Sequence, residues 1–349
     1  MYPTYMYPDL LRGTRLCVAA MALGTLFTQA RAEIGHQRVQ EIALTAGWNA
    51  VFLAVEPADS TPEKVFAGLP IDTVATLFEN PVSNQFVTDP SVDLLKSQGW
   101  GVWYAPGKPE AFLKSLDGIL GNRAYLIHAK SACSWKAAGD AIMPSVQWRP
   151  DAYNFVGFEV RAQGGPTFGE FFAGSKAHVA QTIYRLAEGR WKKVLQPSAE
   201  TMRAGEAFWI YSKGASAFQG PLGIETASRS GLLLGRGADQ MIFRNTCPHP
   251  LSPTIEQVAG NDTALPLSFL IKTYGNAEQP IATTPVRMPA GAWEQALPPL
   301  EAGAAFAVPM ECRSSEMLKP KQGSLLKVTT DLGTEAWVPV NGFRDNTGN

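Results

Sequence analysis

Four histidines, His36, His128, His178 and His249, are the side chains best suited to acid–base or metal chemistry, and no two of them lie four residues apart. The spacing that sets two imidazoles on one helical face is therefore missing, and a metal site is not expected. The stretch Gly214-Ala215-Ser216-Ala217-Phe218 approaches a nucleophile elbow but ends in Phe where the tight turn needs Gly. No G-x-x-x-x-G-K phosphate loop occurs, and the glycines of 231–237 are in the wrong order for a dinucleotide fingerprint, so that stretch reads as linker and strand. Residues 80–93 offer oxygens without the acidic ladder of a calcium loop, and Asp89 with Asp93 is the carboxylate pair that a hydrolase would have to bring together. The chain reads as non-enzymatic, with no catalytic residue, cofactor or metal expected.

Aromatic side chains offer a different chemistry. Trp100, Trp103 and Tyr104 lie beside Pro106, and Trp191 holds a matching place before Pro197. Planar rings on a β face either stack on a sugar or protein partner or plug the core of their own module. These four are the candidate ligand or partner surface, and retention on polysaccharide lost in Trp103→Ala or Trp191→Ala would reveal a carbohydrate-binding protein.

Cys133, Cys247 and Cys312 remain once Cys17 is removed with the leader described below. Phe306, Val308, Met310 and Cys312 share one face at period two, as do Met241, Phe243 and Cys247. Cys247 and Cys312 either form a disulfide, which would stabilise by roughly 4 kcal/mol in the chain-entropy picture, or stay as two buried thiols. Cys133 is the thiol left over.

The formal charge is −1, and −3 without the first 32 residues, which leaves 27 basic against 30 acidic side chains. That balance gives no surplus for nucleic acid. Arg12 and Arg15, the uncharged run from Leu16 to Thr28 and the ending Ala30-Arg31-Ala32 form a secretory signal pattern. The apolar run covers only about 20 Å of a roughly 30 Å hydrocarbon layer, so cleavage after Ala32 and a secreted, periplasmic or cell-surface location are expected, with no transmembrane helix in the mature chain.

Positioning these groups requires a scaffold, and a chain with 45% hydrophobic and 17% charged residues, 26 prolines and 32 glycines points to short, loop-linked strands. Self-comparison finds a repeat. Gly47-Trp48-Asn49 aligns with Ala152-Tyr153-Asn154, each feeding an apolar strand. Phe66-Ala67-Gly68 answers to Phe172-Ala173-Gly174 and Thr76-Leu77-Phe78 to Thr182-Ile183-Tyr184, both at an offset of 106. Trp100 with Pro106 answers to Trp191 with Pro197, and Tyr125-Leu126-Ile127 to Trp209-Ile210-Tyr211. Each copy reads as strand, short helix and three strands, with Thr61-Pro62-Glu63 opening a two-turn helix that stops at Gly68. After Ala227 the strands are widely spaced: Gln240 to Asn245, Leu265 to Lys272, Ala304 to Cys312, Ser324 to Thr330 and Glu335 to Val340. That spacing indicates an antiparallel sandwich, in which Pro309 marks an edge or bulged strand. The expected class is mainly β: a leader over 1–32, β-rich modules over 33–145 and 146–225, an Ig-like sandwich over 226–345 and a tail over 346–349.

Leu44 to Val55, Trp100 to Pro106 and Ala124 to Ile127, with Tyr153 to Val160, Trp191 to Pro197 and Glu206 to Tyr211, resemble the tandem GWN modules of large secreted bacterial proteins. The second copy departs by Ala152 and Tyr153 in place of Gly and Trp. The last third, with Arg244-Asn245-Thr246 after one strand and Val338-Pro339-Val340 in the final one, resembles immunoglobulin-like or fibronectin-type accessory domains. The resemblance implies a scaffold or adhesion protein of the envelope or extracellular space, with protein or polysaccharide partners and no catalytic residues. A carbohydrate-binding protein is the first alternative and a secreted hydrolase the second.

Overall fold

The computed structural model describes residues 36–78, 99–235, 237–258, 264–273 and 282–344. The leader, the 346–349 tail, Asp89 and Asp93 lie outside the described residues. The protein is mainly β, and among the described residues no helix is long and apolar enough to cross a membrane.

The first unit comprises β1 (Gln37–Leu44), β2 (Gly47–Leu53), β3 (Val55–Glu56), α1 (Pro62–Val65), β4 (Ile71–Leu77), β5 (Trp100–Tyr104), β6 (Arg123–Ala129) and β7 (Cys133–Ala141). Its strands make an antiparallel sheet of order β2-β6-β4-β5 and a second of order β1-β7-β3. β7 alternates buried and exposed residues, so its sheet is covered on one face only. Most of β4 and β6 is buried on both parities, as suits a sheet packed on both sides. Leu53, Val74, Tyr125 and Ile127 meet Ile42, Leu44 and Trp135 between the two sheets. The expected two-turn helix is a single turn. Pro62 opens it, but the Thr61 side chain does not cap it.

The second unit comprises β8 (Ala152–Gly157), α2 (Phe168–Phe172), β9 (Ile183–Ala187), β10 (Arg190–Lys193) and β11 (Ala207–Ser212), in one sheet of order β8-β11-β9-β10. α2 starts with a complete capping box between Thr167 and Glu170. It buries Phe168, Phe171 and Phe172 against one face of the sheet. The other face packs on the first unit. Ala50, Phe52, Trp100, Val102 and Leu126 meet Phe155, Ala207 and Trp209 in one core.

The two four-stranded sheets agree residue by residue. Asn49 lies opposite Ile127, which lies opposite Val74; Asn154 lies opposite Ile210, which lies opposite Ile183. Three residues past Val74, Leu77 faces Trp100, and three past Ile183, Leu186 faces Trp191. The two asparagines also do the same work. Asn49 Oδ1 accepts from Thr45 N while its Nδ2 donates to Thr45 O and Gly47 O; Asn154 makes the same three contacts with Arg149 and Ala152. This register corrects the sequence alignment. Thr73-Val74-Ala75, not Thr76-Leu77-Phe78, corresponds to Thr182-Ile183-Tyr184, and Tyr125-Leu126-Ile127 corresponds to Phe208-Trp209-Ile210. Side chains alternate across a sheet, so a slip of one residue exchanges its faces. Leu126 and Trp209 both face the shared core, whereas Tyr125 and Phe208 face away from it.

The third unit comprises β12 (Leu222–Thr226), β13 (Leu232–Leu234), β14 (Asp239–Asn245), β15 (Pro253–Val258), β16 (Leu267–Thr273), β17 (Ala282–Arg287), β18 (Trp293–Ala296), β19 (Ala305–Cys312), β20 (Lys321–Thr330) and β21 (Glu335–Phe343). Its sheets, ordered β12-β14-β19-β16-β17 and β13-β21-β20-β15-β18, sandwich one core. β12 pairs with β14, so the sandwich begins ahead of residue 226. Pro309 lies in an interior strand, not at an edge, the first of the two placements expected for it, edge or bulged strand. Proline fits because pairing of β19 with β16 covers Met310 to Cys312 and stops before Pro309, where no ladder bond is lost.

Candidate functional site

The four aromatic side chains singled out in the sequence do not form one exposed platform. Trp100 and Trp103 are 8% and 2% exposed and point to opposite faces of β5. Trp103 sits in the first unit's own core and donates Nε1–H to Glu63 at 3.0 Å. Trp100 packs 6.3 Å from Trp209 across the core shared by the first two units, and Trp191 packs 6.3 Å from Trp209 within the second unit, against the same core. Both rings thus belong to the core that joins the two units. Tyr104 is half-buried at the end of β5.

Cys247 and Cys312 are free, as is Cys133. Their strands are neighbours, but the cysteines lie beyond opposite ends of the ladder that pairs Asp239 with Met310 and Arg244 with Ala305. More than the length of β14 separates them along the strand, roughly 25 Å at about 3.3 Å per residue, against a disulfide limit of about 7 Å. Cys247 lies past the end of β14 and Cys312 ends β19, so the antiparallel direction of the two strands defeats the bridge. Burial pushes both thiols up to about 11.

A Ser–His contact does occur, between Ser175 Oγ and His178 Nδ1 at 2.6 Å. The imidazole is enclosed by Trp148, Phe172 and Phe218, with ring centroids 3.8, 5.5 and 5.8 Å away, and burial pushes its pKa down to about 4. A pair enclosed in this way fills core and meets no substrate.

Charged groups converge where the three units meet. Arg38 Nη2 donates to Glu159 Oε1 at 2.5 Å and to Ala54 O at 3.1 Å, and the guanidinium lies 4.7 Å from the Trp337 ring centre. Glu335 accepts from Trp337 Nε1 and pairs with Lys327 at 3.1 Å. Burial pushes the Glu159 carboxyl up to about 7, against the pull of Arg38. Glu159 and Glu335 border a cavity of about 50 Å³. That space holds a few waters, far from the roughly 300 Å³ of a small-molecule site. The arrangement is a fastening. An open polar groove of about 400 Å³ lies nearby, lined by Asn122, Arg123, Ser145, Gln147 and Phe155 among others.

One further cluster lies at the end of the first sheet. A β-bulge between Ile71 and Thr73 turns Asp72 out of the regular ladder. Asp72, 6% exposed, accepts from His128 Nδ1 at 2.8 Å and from Thr73 Oγ1 at 3.0 Å. Lys108 Nζ lies 3.4 Å from the other carboxylate oxygen and donates to Thr73 Oγ1 at 3.1 Å. Burial opposes the Asp72 charge, but the His128 and Thr73 hydrogen bonds and the Lys108 charge outweigh it and hold the pKa below its ordinary value. An ionised carboxylate only accepts, so the contact runs from Nδ1–H to Oδ1, and in the neutral ring it is His128 Nε2 that carries the acceptor lone pair. The His128 and Lys108 side chains are each a third exposed. Trp48 meets His128 edge-on at 5.2 Å, and Tyr104 lies under Lys108 at 5.9 Å. Asp72 and His128 are 56 residues apart, and no local motif joins them.

No protein-family model and no curated protein sequence matches this chain.

Proposed function

We propose that this protein is an exported recognition scaffold of the bacterial envelope or extracellular space, made of two copies of one GWN-like β module and an Ig-like sandwich, and that it works by holding a protein or polysaccharide partner. The observation that carries this reading is the residue-by-residue agreement of strand order, register and asparagine lock between the first two sheets. It supports duplication of a single unit, and the aromatic face common to both copies is spent on joining them. Two joined sheets fastened to a sandwich through Arg38 and Glu159 hold loops and grooves in fixed relation, which limits the entropy lost on binding. The polar groove of about 400 Å³ bordered by Arg123 and Gln147 supplies a concave surface of ligand-binding size.

Fractionation with N-terminal analysis of the natural protein tests the placement: mature chain beginning near Glu33 in the envelope or medium is expected, and cytoplasmic chain retaining Met1 rejects it. Crosslinking in that fraction tests recognition. A defined partner lost in Arg123→Glu, with an unchanged melting temperature, supports the groove; a partner indifferent to that change rejects it.

A further inference from the structure

The second unit acts as an internal control for the first. By strand register, Thr73 and His128 correspond to Thr182 and Tyr211: Thr73 lies opposite His128, and Tyr211 N donates to Thr182 O at 3.0 Å. Trp48 corresponds to Tyr153, and the edge-on pair recurs, with Trp48 and His128 at 5.2 Å and 65° and Tyr153 and Tyr211 at 5.3 Å and 69°. Counting from the Trp100–Trp191 equivalence, Lys108 corresponds to Ala199; Gln181 precedes Thr182 where Asp72 precedes Thr73. The packing task at this corner is thus met in the second unit by two tyrosines, with no acid, imidazole or ammonium. Asp72, Lys108 and His128 exceed what the fold asks for there.

Their chemistry has a definite polarity. His128 Nε2 has no hydrogen-bond partner among the described residues, and in the neutral ring it accepts. The Lys108 ammonium has three donors; it donates to Thr73 Oγ1 and pairs with Asp72 at 3.4 Å, which leaves donor capacity at its exposed end. The imidazole and the ammonium each meet an oxygen of the same carboxylate, Nδ1 at Oδ1 and Nζ at Oδ2, so the two side chains lie side by side over Asp72, whose charge balances that of Lys108. An acceptor beside a donor complements adjacent hydroxyls, and the half-buried rings of Trp48 and Tyr104 flank them with apolar surface. We propose that His128 and Lys108, positioned by Asp72, form a binding site for a saccharide on the first unit alone, with Nε2 accepting from one ring hydroxyl and Nζ donating to the oxygen of its neighbour. Tyr104 is the one member of the sequence-derived aromatic set that lies at this site.

The test is NMR of the labelled mature chain, reading the His128 ring resonances during titration with chitotetraose, maltotetraose, tetragalacturonate and inorganic phosphate. Saturable shifts with at least one saccharide are expected. Lys108→Ala and His128→Tyr, which install the residues of the second unit, should each weaken that binding roughly tenfold, the worth of one charge-assisted or strong neutral hydrogen bond, with little change in melting temperature. Response to phosphate alone, response to none of the four, or loss of fold in both variants overturns the inference. If only His128→Tyr unfolds, Lys108→Ala decides: weakened binding supports the site and unchanged binding overturns it. The groove and the export pathway are untouched by these variants, so failure here is distinguishable from failure of the scaffold reading.

Discussion

Replacing Glu159 by Gln removes the titration at the three-unit junction while keeping the side chain's size and an oxygen for Arg38 to donate to. Burial raises the Glu159 pKa from 4.5 to about 7. The folded chain therefore binds this proton more tightly than the unfolded chain. The resulting stability is full below about pH 4.5 and is lost as the pH rises to about 7. At about 1.4 kcal/mol per pH unit the loss is roughly 3 kcal/mol. His36 and His178, whose pKa values burial lowers, run the other way and lose stability as the pH falls, so the raw profile mixes both directions. The difference between wild type and Glu159→Gln, from denaturant midpoints at matched pH, isolates the carboxylate. It should shift by roughly 3 kcal/mol in favour of the variant between pH 4.5 and 7.5. Parallel curves, or a shift in favour of the wild type, would refute the reasoning, because either result means that Arg38 compensates burial in full. Arg38→Met supplies the complementary arm. It should cost about 3–5 kcal/mol at pH 8, where Glu159 must either stay charged without its partner or take up a proton, and about 1 kcal/mol less at pH 5, where the carboxyl is already protonated.

Trp209→Ala, at the centre of the core shared by the first two units, should cost about 3–5 kcal/mol and open the seam to protease. His178→Phe should flatten the acid limb of the stability profile between pH 6.5 and 4, since burial holds the native imidazole neutral down to about 4; an unchanged limb in pH-dependent denaturation contradicts this. Gly174→Ala places a methyl 1.6 Å from Thr246 O, so the second unit should separate from the sandwich, seen as a larger radius in small-angle scattering. Alkylation after denaturation without reductant should label Cys133, Cys247 and Cys312 alike.

Strand content and the correspondence of the two Asn-led strands were legible in the sequence because they rest on local pattern. Asn49 and Asn154 announce a turn lock, and Ala207 to Tyr211, apolar on both parities, announces a strand covered on both faces. Five sandwich strands were legible as apolar runs, and β13 falls in the 231–237 stretch read as linker and strand; β12, β15, β17 and β18 were not, since they are short, begin at proline or carry mostly exposed side chains. Exposure of the aromatic set was not legible either. Period-two parity says that Trp100 and Trp103 face opposite ways, but only the fold shows that each face is covered.

The Asp72 site shows why a one-residue alignment error hides chemistry. Carried along the strand, the offset first drawn from Tyr125 and Trp209 sets His128 against Ser212, a polar residue against a polar residue, and nothing stands out. The hydrogen-bonded register sets it against Tyr211, and the neighbouring substitutions fall into place: tyrosine for tryptophan, Gln for Asp, Ala for Lys. On the proposed duplication, both copies inherit the same demand for an edge-on ring pair at this corner, and that demand constrains shape without constraining charge. One copy meets it with hydroxylated rings. The other meets it with a part-exposed imidazole held at Nδ1 by a buried carboxylate, and an ionised group that must be compensated by two partners costs desolvation that a tyrosine would avoid. A fold that already has the cheaper solution in its second unit retains the costlier one in its first for what the outward-facing atoms do.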